Sequence, residues 1–428
     1  MTRGRLTGAA LVIALAGVLI APATASAVNP VSFSQVGNLT TQRESPGAAL
    51  LPDGRALVVG GFDDSPTPTY LKTAEIFDPK TNSFSPIGAT IPTGVYWPQV
   101  ASLPDGRVLV AGGYDGTNDI ATAVVFNPNT GSFSPVGSLL TARDSAATAP
   151  LPDGRVLIAG GFSTTSGDEV LASSEIFNPQ TNTFSPGPSL PDAKYGAPGV
   201  EISNGRILIP GGYNDDYLNS VFVFDPTSNA FSGLGSLPYR AYAPAGASMP
   251  QGRALVAGGA NDASGSRDEV STTTIFDSAT NTFSPIGGLV HKREEAAAVE
   301  LKDGRVLVAA GWADGDALDT AEVLSVPSNS FTSKLKGRKV KFSVTTEGVA
   351  QVTDVSTKVA TTAKKKKKAK LVKTTSKHGG PGKIIVKIKL TKRGAAQLAS
   401  KGKLKVRVVY TPDGGVAATK KLKLRAGK

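Results

Sequence analysis

Cysteine is absent from the 428 residues, and histidine occurs only as His291 and His378. The first absence excludes disulfides, thiol nucleophiles, Cys-ligated zinc and iron-sulfur clusters. The second leaves no multi-histidine metal centre. Long apolar runs are also missing: past the N-terminus, no segment approaches the roughly 20 residues that a membrane-spanning helix needs. Stability must therefore come from burial and hydrogen bonding alone.

At the N-terminus, Arg3 and Arg5 precede an apolar run from Ala9 to Ile20 and the small-residue triplet Ala25-Ser26-Ala27. That order reads as a secretory signal peptide over residues 1–27, with a mature chain from Val28 that is extracellular and associated in part with the cell surface. A membrane anchor is the alternative, disfavoured because the run is short.

The net charge of +12 conceals a division. Residues 28–333 hold 16 Lys and Arg against 31 Asp and Glu, whereas residues 334–428 hold 28 against 3. Two modules of opposite charge meet near Ser333.

Six near copies of one motif occupy the acidic module: LPDGRALVVGG from Leu51, LPDGRVLVAGG from Leu103, LPDGRVLIAGG from Leu151, ISNGRILIPGG from Ile202, MPQGRALVAGG from Met249 and LKDGRVLVAAG from Leu301. Their turn glycines, Gly54, Gly106, Gly154, Gly205, Gly252 and Gly304, lie 52, 48, 51, 47 and 52 residues apart. A period near 50 marks a four-stranded propeller blade. Asp-Gly between apolar runs predicts a tight hairpin, and the run after it suits a strand covered on both faces. Five units continue with two Phe seven positions apart, Phe77 and Phe84 in the first, and the sixth has Leu324 and Phe331; these positions read as packing between adjacent sheets. A seventh copy of the last-strand pattern, VSFSQVGNL from Val31, stands ahead of the first unit. It is expected to close the ring by joining the sixth blade, competing with or adding to the local segment from Ser330 to Leu335.

Taken together, residues 32–333 resemble a kelch-repeat β-propeller. The likeness rests on the six apolar runs, five ending in Gly-Gly and the sixth in Ala-Gly, on the paired aromatic positions, and on Glu75, Glu175 and Glu322 in the third strand. Val124, Phe222 and Thr274 replace that Glu in the other three repeats, and Phe stands where the family usually has Tyr and Trp. The resemblance implies an all-β six-bladed propeller. It puts the Asp-Gly-Arg turns on one face, with structural arginines, and the longer connections on the other. That loop-rich face then carries Arg43, Tyr96, Trp97, Arg143, Tyr195, Arg240, Tyr242, Arg293, Tyr213 and Trp312 as candidate binding residues, interleaved with many aspartates. Such a mixture suits a polar ligand, a glycan or a protein; the alternative is a solvated acidic rim. No cofactor is expected.

Secreted kelch enzymes of the galactose oxidase type need two Tyr, two His and a Cys, so their copper chemistry is excluded. The six-bladed sialic-acid mutarotases need only acid-base groups in the funnel, and Glu294 and Glu295 beside Arg293 are the candidates for that alternative, although a charged HKREE loop ordinarily faces solvent. Asp314, Asp316 and Asp319 do not match an EF-hand spacing, and no metal site is assigned.

In the basic module, KIIVKIKL from Lys383 and KLKVRVVY from Lys403 alternate apolar and cationic residues, and residues 391–402 between them predict a short helix. The module resembles the lysine-rich immunoglobulin-like tails of secreted bacterial proteins, implying a small β-sandwich. Its AKKKKKAK run, residues 363–370, suits attraction to an anionic cell-envelope polymer; a merely solubilising surface is the alternative, and nothing marks a specific nucleic-acid reader.

Overall fold

The computed structural model describes residues 31–262 and 267–325, and, as backbone strands alone, 330–336, 339–346, 350–356, 377–379, 382–389, 403–412 and 418–425. The segment expected to be a signal peptide, the expected helix at 391–402 and the lysine run at 363–370 lie outside the described residues. The chain folds as two compact units, one built mainly of 29–332 and the other mainly of the basic tail.

Six four-stranded antiparallel sheets make the first unit. Blade 1 comprises Gly47–Leu50, Ala56–Val59, Ala74–Asp78 and Ser83–Pro86. Blades 2 to 5 repeat the order over 99–135, 147–186, 200–236 and 245–286. In blade 6 the first three strands are Ala297–Glu300, Val306–Ala309 and Ala321–Ser325, and the fourth is the N-terminal Ser32–Gln35. Phe33 faces Leu324 there as Phe84 faces Phe77 in blade 1. The local candidate, Ser330–Lys336, pairs instead with Lys339–Thr346 in a separate sheet. Closure by the N-terminal strand removes the open edge that a ring would otherwise carry.

Each second strand is buried along its apolar run, as in Ala56–Val59 and Val156–Ala159. The apolar clusters lie between neighbouring blades: Leu57 and Val59 of blade 1 pack with Val108 and Val110 of blade 2. The paired Phe rings stack at 4.9–5.0 Å, from Phe77 with Phe84 to Phe276 with Phe283. On the hairpin face, Arg107 of blade 2 reaches Pro179 O and Asn182 Oδ1 of blade 3 at 3.1 and 3.2 Å. Arg305 of blade 6 reaches Pro79 O and Asn82 Oδ1 of blade 1 at 2.6 and 2.8 Å.

A circle of backbone hydrogen bonds runs through the opposite face. The residue that ends each repeat's apolar run, Gly61, Gly113, Gly161, Gly212, Gly259 or Gly311, donates its N–H to a carbonyl of the following blade. The acceptors are Val95, Arg143, Lys194, Ala241, Arg293 and Arg43, at 2.7–2.9 Å, so the last bond joins blade 6 to blade 1. These glycines hold φ between +93° and +108°, which side chains rarely adopt.

The basic unit contains a three-stranded sheet, with Lys339–Thr346 between Ser330–Lys336 and Gly382–Lys389, and a four-stranded sheet ordered 377–379, 350–356, 403–412, 418–425. Both alternating segments of the tail are strands. Among the described residues no helix is long and apolar enough to cross a membrane.

A Cβ on Gly61 would lie 2.7 Å from Glu44 O, so Gly61→Ala should destabilise the protein by about 1–3 kcal/mol. Gly131→Ala, also at positive φ but with no atom within 4 Å, should cost less, and denaturant unfolding compares the two.

Candidate functional site

Seventeen residues ahead of the first residue of each terminal pair, Gly-Gly in five repeats and Ala-Gly in the sixth, stands one equivalent position: Arg43, Val95, Arg143, Lys194, Ala241 and Arg293. Where it is charged, its side chain clamps the blade together. Arg43 donates from Nη1 to Gly60 O and Thr73 O at 3.0 Å, and from Nη2 to Glu75 Oε1 at 3.2 Å. Glu75 in turn accepts the N–H groups of Thr40 and Thr41. Arg143 with Glu175 and Arg293 with Glu322 repeat the arrangement. Where the Glu is missing the cation changes too. Lys194 donates to Gly211 O at 2.8 Å and lies 4.3 Å over the ring of Phe222, and burial lowers its pKa to about 8. Blades 2 and 5 have neither charge, with Val95 and Val124, and Ala241 and Thr274. The three arginines are fully buried in these clamps. Arg43, Arg143 and Arg293 therefore hold the blades and present no guanidinium to a ligand, contrary to their expected place on the binding surface.

The next residue in each blade faces the propeller axis. It alternates between acid and tyrosine with the clamp: Glu44, Asp144 and Glu294 follow arginine, and Tyr96, Tyr195 and Tyr242 follow Val, Lys and Ala. Each forms a backbone bridge to the residue after the terminal pair, Phe62, Tyr114, Phe162, Tyr213, Ala260 or Trp312. One step further stand Ser45, Trp97, Ser145, Gly196, Ala243 and Glu295, all at positive φ. Their backbones hydrogen-bond in series, Gly196 N–H to Ser145 O, Ala243 N–H to Gly196 O and Glu295 N–H to Ala243 O, each at 2.9 Å.

These two rings form the floor of a funnel. Trp97 of blade 2 reaches the blade opposite, its ring 5.9 Å from Tyr242, and Tyr96 stacks on it at 4.6 Å. Tyr242 also meets Tyr195, Tyr213 and Tyr217 at 5.7, 5.9 and 6.3 Å. The Tyr96 hydroxyl lies 2.7 Å from Glu44 Oε1 and 2.9 Å from Glu295 Oε2, and Ser45 Oγ donates to Glu295 at 2.5 Å. Arg267 enters from the blade 5 connection, with Nη2 2.6 Å from Glu294 Oε1 and 3.0 Å from Glu295 Oε1. Arg267 and Glu294 form a close ion pair, yet neither Glu294 oxygen has a partner meeting strict hydrogen-bond geometry among the described residues.

Desolvation governs the electrostatics. Burial, reinforced by the charge of Glu295, pushes Glu44 up to about 8. Burial and Glu295 also push Glu294 to about 8, against the opposing pull of Arg267. Asp144 is raised well above the carboxylate range by burial and by Asp119. Tyr195 rises to about 12 through burial. The floor thus offers protonated carboxyls and neutral phenols, able to donate and accept hydrogen bonds.

Of the sequence-selected residues, the structure gathers Tyr96, Trp97, Tyr195, Tyr213 and Tyr242 in this cluster. Trp312 borders Glu294 through its backbone bridge. Arg240 lies outside on the rim, paired with Asp216. The HKREE loop is not solvated throughout: Arg293, Glu294 and Glu295 are buried. Glu44, Asp119, Asp144 and Arg267 escaped the sequence reading, although the first and third stand one place after a clamp arginine. Asp314 pairs with Lys292, and no group of three potential ligands is placed for a metal among the described residues.

A second concavity of about 560 Å³ occupies the central channel, lined by the first strands of all six blades. Glu201 and Glu300 line it, and burial raises the pKa of both.

Comparison with known families accounts for the blade pattern. Residues 45–89, 100–140 and 195–238 match one model of the Kelch motif, and 143–191 match another. The chain carries Kelch motifs in a six-bladed propeller. Blades 5 and 6 lie beyond the matched Kelch stretches but share their strand order, with Thr274 in place of the Glu in one and the fourth strand supplied from the N-terminus in the other. Among curated proteins none matches the chain. Kelch repeats suggest a protein-interaction propeller.

Glu44 and Glu294 keep their protons to about pH 8 when folded, against a reference value of 4.5. Between those limits the folded state binds more protons than the unfolded state, so this contribution to stability falls as pH rises and is flat above the window. Glu44→Gln with Glu294→Gln should raise Tm at pH 8, by roughly 2–4 °C for each kcal/mol of charge burial avoided, and change it little at pH 4.5. Thermal unfolding of parent and variant across that window reads the difference.

Proposed function

We propose that the protein is exported and acts as a binding protein, the Kelch propeller taking a polar ligand, a glycan or a protein segment, in its loop-face funnel. The observation that carries the reading is the set of half-exposed rings of Trp97, Tyr195, Tyr213 and Tyr217 around a floor of buried carboxyls. Aromatic walls bury ligand area at little entropic cost, and a few fixed polar groups select what enters. The lysine-rich module, with its 28 basic against 3 acidic residues, is the part that attracts an anionic envelope polymer. A second reading is acid-base turnover of a sugar. One observation favours it: Tyr96 bridges Glu44 and Glu295, and Glu44 is protonated at neutral pH.

Full-length protein should co-sediment with bacterial envelopes at low salt and be released at high salt if the tail is the tether. Retention at high salt that Tyr195→Ala with Tyr213→Ala abolishes assigns binding to the funnel, and no sedimentation at either salt overturns envelope attachment. Turnover of a sugar anomer, followed by NMR, would replace the binding reading with the enzymatic one.

A further inference from the structure

Arg267 behaves as a surface residue that reaches into the interior. Its side chain is 47% exposed, whereas Glu294 and Glu295, which it contacts, are 0% and 1% exposed. Its guanidinium also lies 5.2 Å over the ring of Tyr242. Carboxylate on one side and an aromatic face on the other is how a protein site grips a guanidinium.

The repeat shows why the space exists. After the terminal pair, the other five blades place a ring, at Phe62, Tyr114, Phe162, Tyr213 and Trp312, whereas blade 5 has Ala260. Ala260 brings no ring to Tyr242, and the Arg267 guanidinium lies over the Tyr242 ring instead. The floor still has more acid than base. Glu44, Glu294 and Glu295 share Arg267, while Arg43 and Arg293 are spent on Glu75 and Glu322, and Lys292 on Glu269 and Asp314. Glu294, fully buried, has no hydrogen-bond partner of good geometry for either oxygen among the described residues. A buried carboxyl without such a partner is costly, and donors brought by a ligand would satisfy it.

We infer that the funnel recognises a guanidinium group carried by a protein or peptide ligand, and that Arg267 occupies this subsite until the incoming group displaces it. The inference rests on the funnel being the binding site and names what enters it. Binding exchanges one guanidinium for another, so the internal residue competes with the ligand and lowers its apparent affinity.

The test uses the full chain and its intrinsic fluorescence, because both tryptophans, Trp97 and Trp312, stand at this face. Hexa-arginine is the probe, with hexa-lysine, hexa-glutamate and maltohexaose as comparisons. Arg267→Ala should bind hexa-arginine about tenfold or more tightly than the parent, equivalent to about 1.4 kcal/mol. Arg267→Gln should behave in the same way, which separates loss of the internal cation from any local change in the connection. Glu295→Gln should weaken the binding, and hexa-lysine should bind less well than hexa-arginine because it lacks the planar fork. Equal affinity of parent and both Arg267 variants for hexa-arginine overturns the inference. If maltohexaose or hexa-glutamate then binds and Tyr195→Ala abolishes it, the funnel remains the site with a different ligand. If Tyr195→Ala leaves the binding of every probe unchanged, the funnel reading itself fails.

Discussion

One hydrogen bond, made six times, sets the geometry on which the rest depends. A glycine at the end of each repeat's apolar run donates to the carbonyl that starts the next blade's clamp. The bond needs a backbone at φ near +100° and no side chain, because a Cβ would meet a carbonyl oxygen at 2.4–2.8 Å at each of the six sites. Repetition turns this local requirement into a ring, and the closing strand Ser32–Gln35 runs directly into the clamp loop of blade 1. The same segment thus completes blade 6 and starts blade 1, giving a closed sheet array with no free edge at the seam.

The ring also decides the chemistry of its centre. The residue after each clamp position is held at the axis, so its identity goes straight into the funnel floor. Arginine clamps are followed by Glu or Asp, and uncharged or lysine positions by Tyr, which gives a floor of three acids and three phenols. Packing so many carboxyls out of water raises Glu44, Glu294 and Asp144 toward their neutral forms. Arg267 brings a guanidinium charge to the centre beside Glu294 and Glu295, and the aromatic rings limit access of water around them.

The sequence carried the blades openly, since a turn glycine recurs near every 50 residues and the Phe pairs follow. It also carried the clamp, in a form visible only after alignment: the 17-residue spacing to the terminal pair, and the joint occurrence of Arg43 with Glu75, Arg143 with Glu175 and Arg293 with Glu322. Reading arginines on the loop face as ligand groups overlooked that pairing. The HKREE loop misled for a related reason. A run of charge on a connection ordinarily faces water, but here neighbouring residues point to opposite sides, Arg293 into the blade and Glu294 and Glu295 toward the axis. Arg267 was invisible because its connection varies in length between repeats, so no register marks it. The choice of closing strand was open as well, since VSFSQVGNL and the segment after Ser330 share one pattern and only the pairing with Ala321–Ser325 separates them.

The central claim is that the funnel floor holds neutral carboxyls, poised to exchange partners with a ligand. Carboxyl-carbon NMR of the full chain, with Glu44 and Glu294 assigned by substitution, measures it most directly. The account predicts that both titrate near pH 8 in the free protein. Titration of both near the ordinary 4.5 would contradict it, since the floor would then be ionised and solvated at neutral pH.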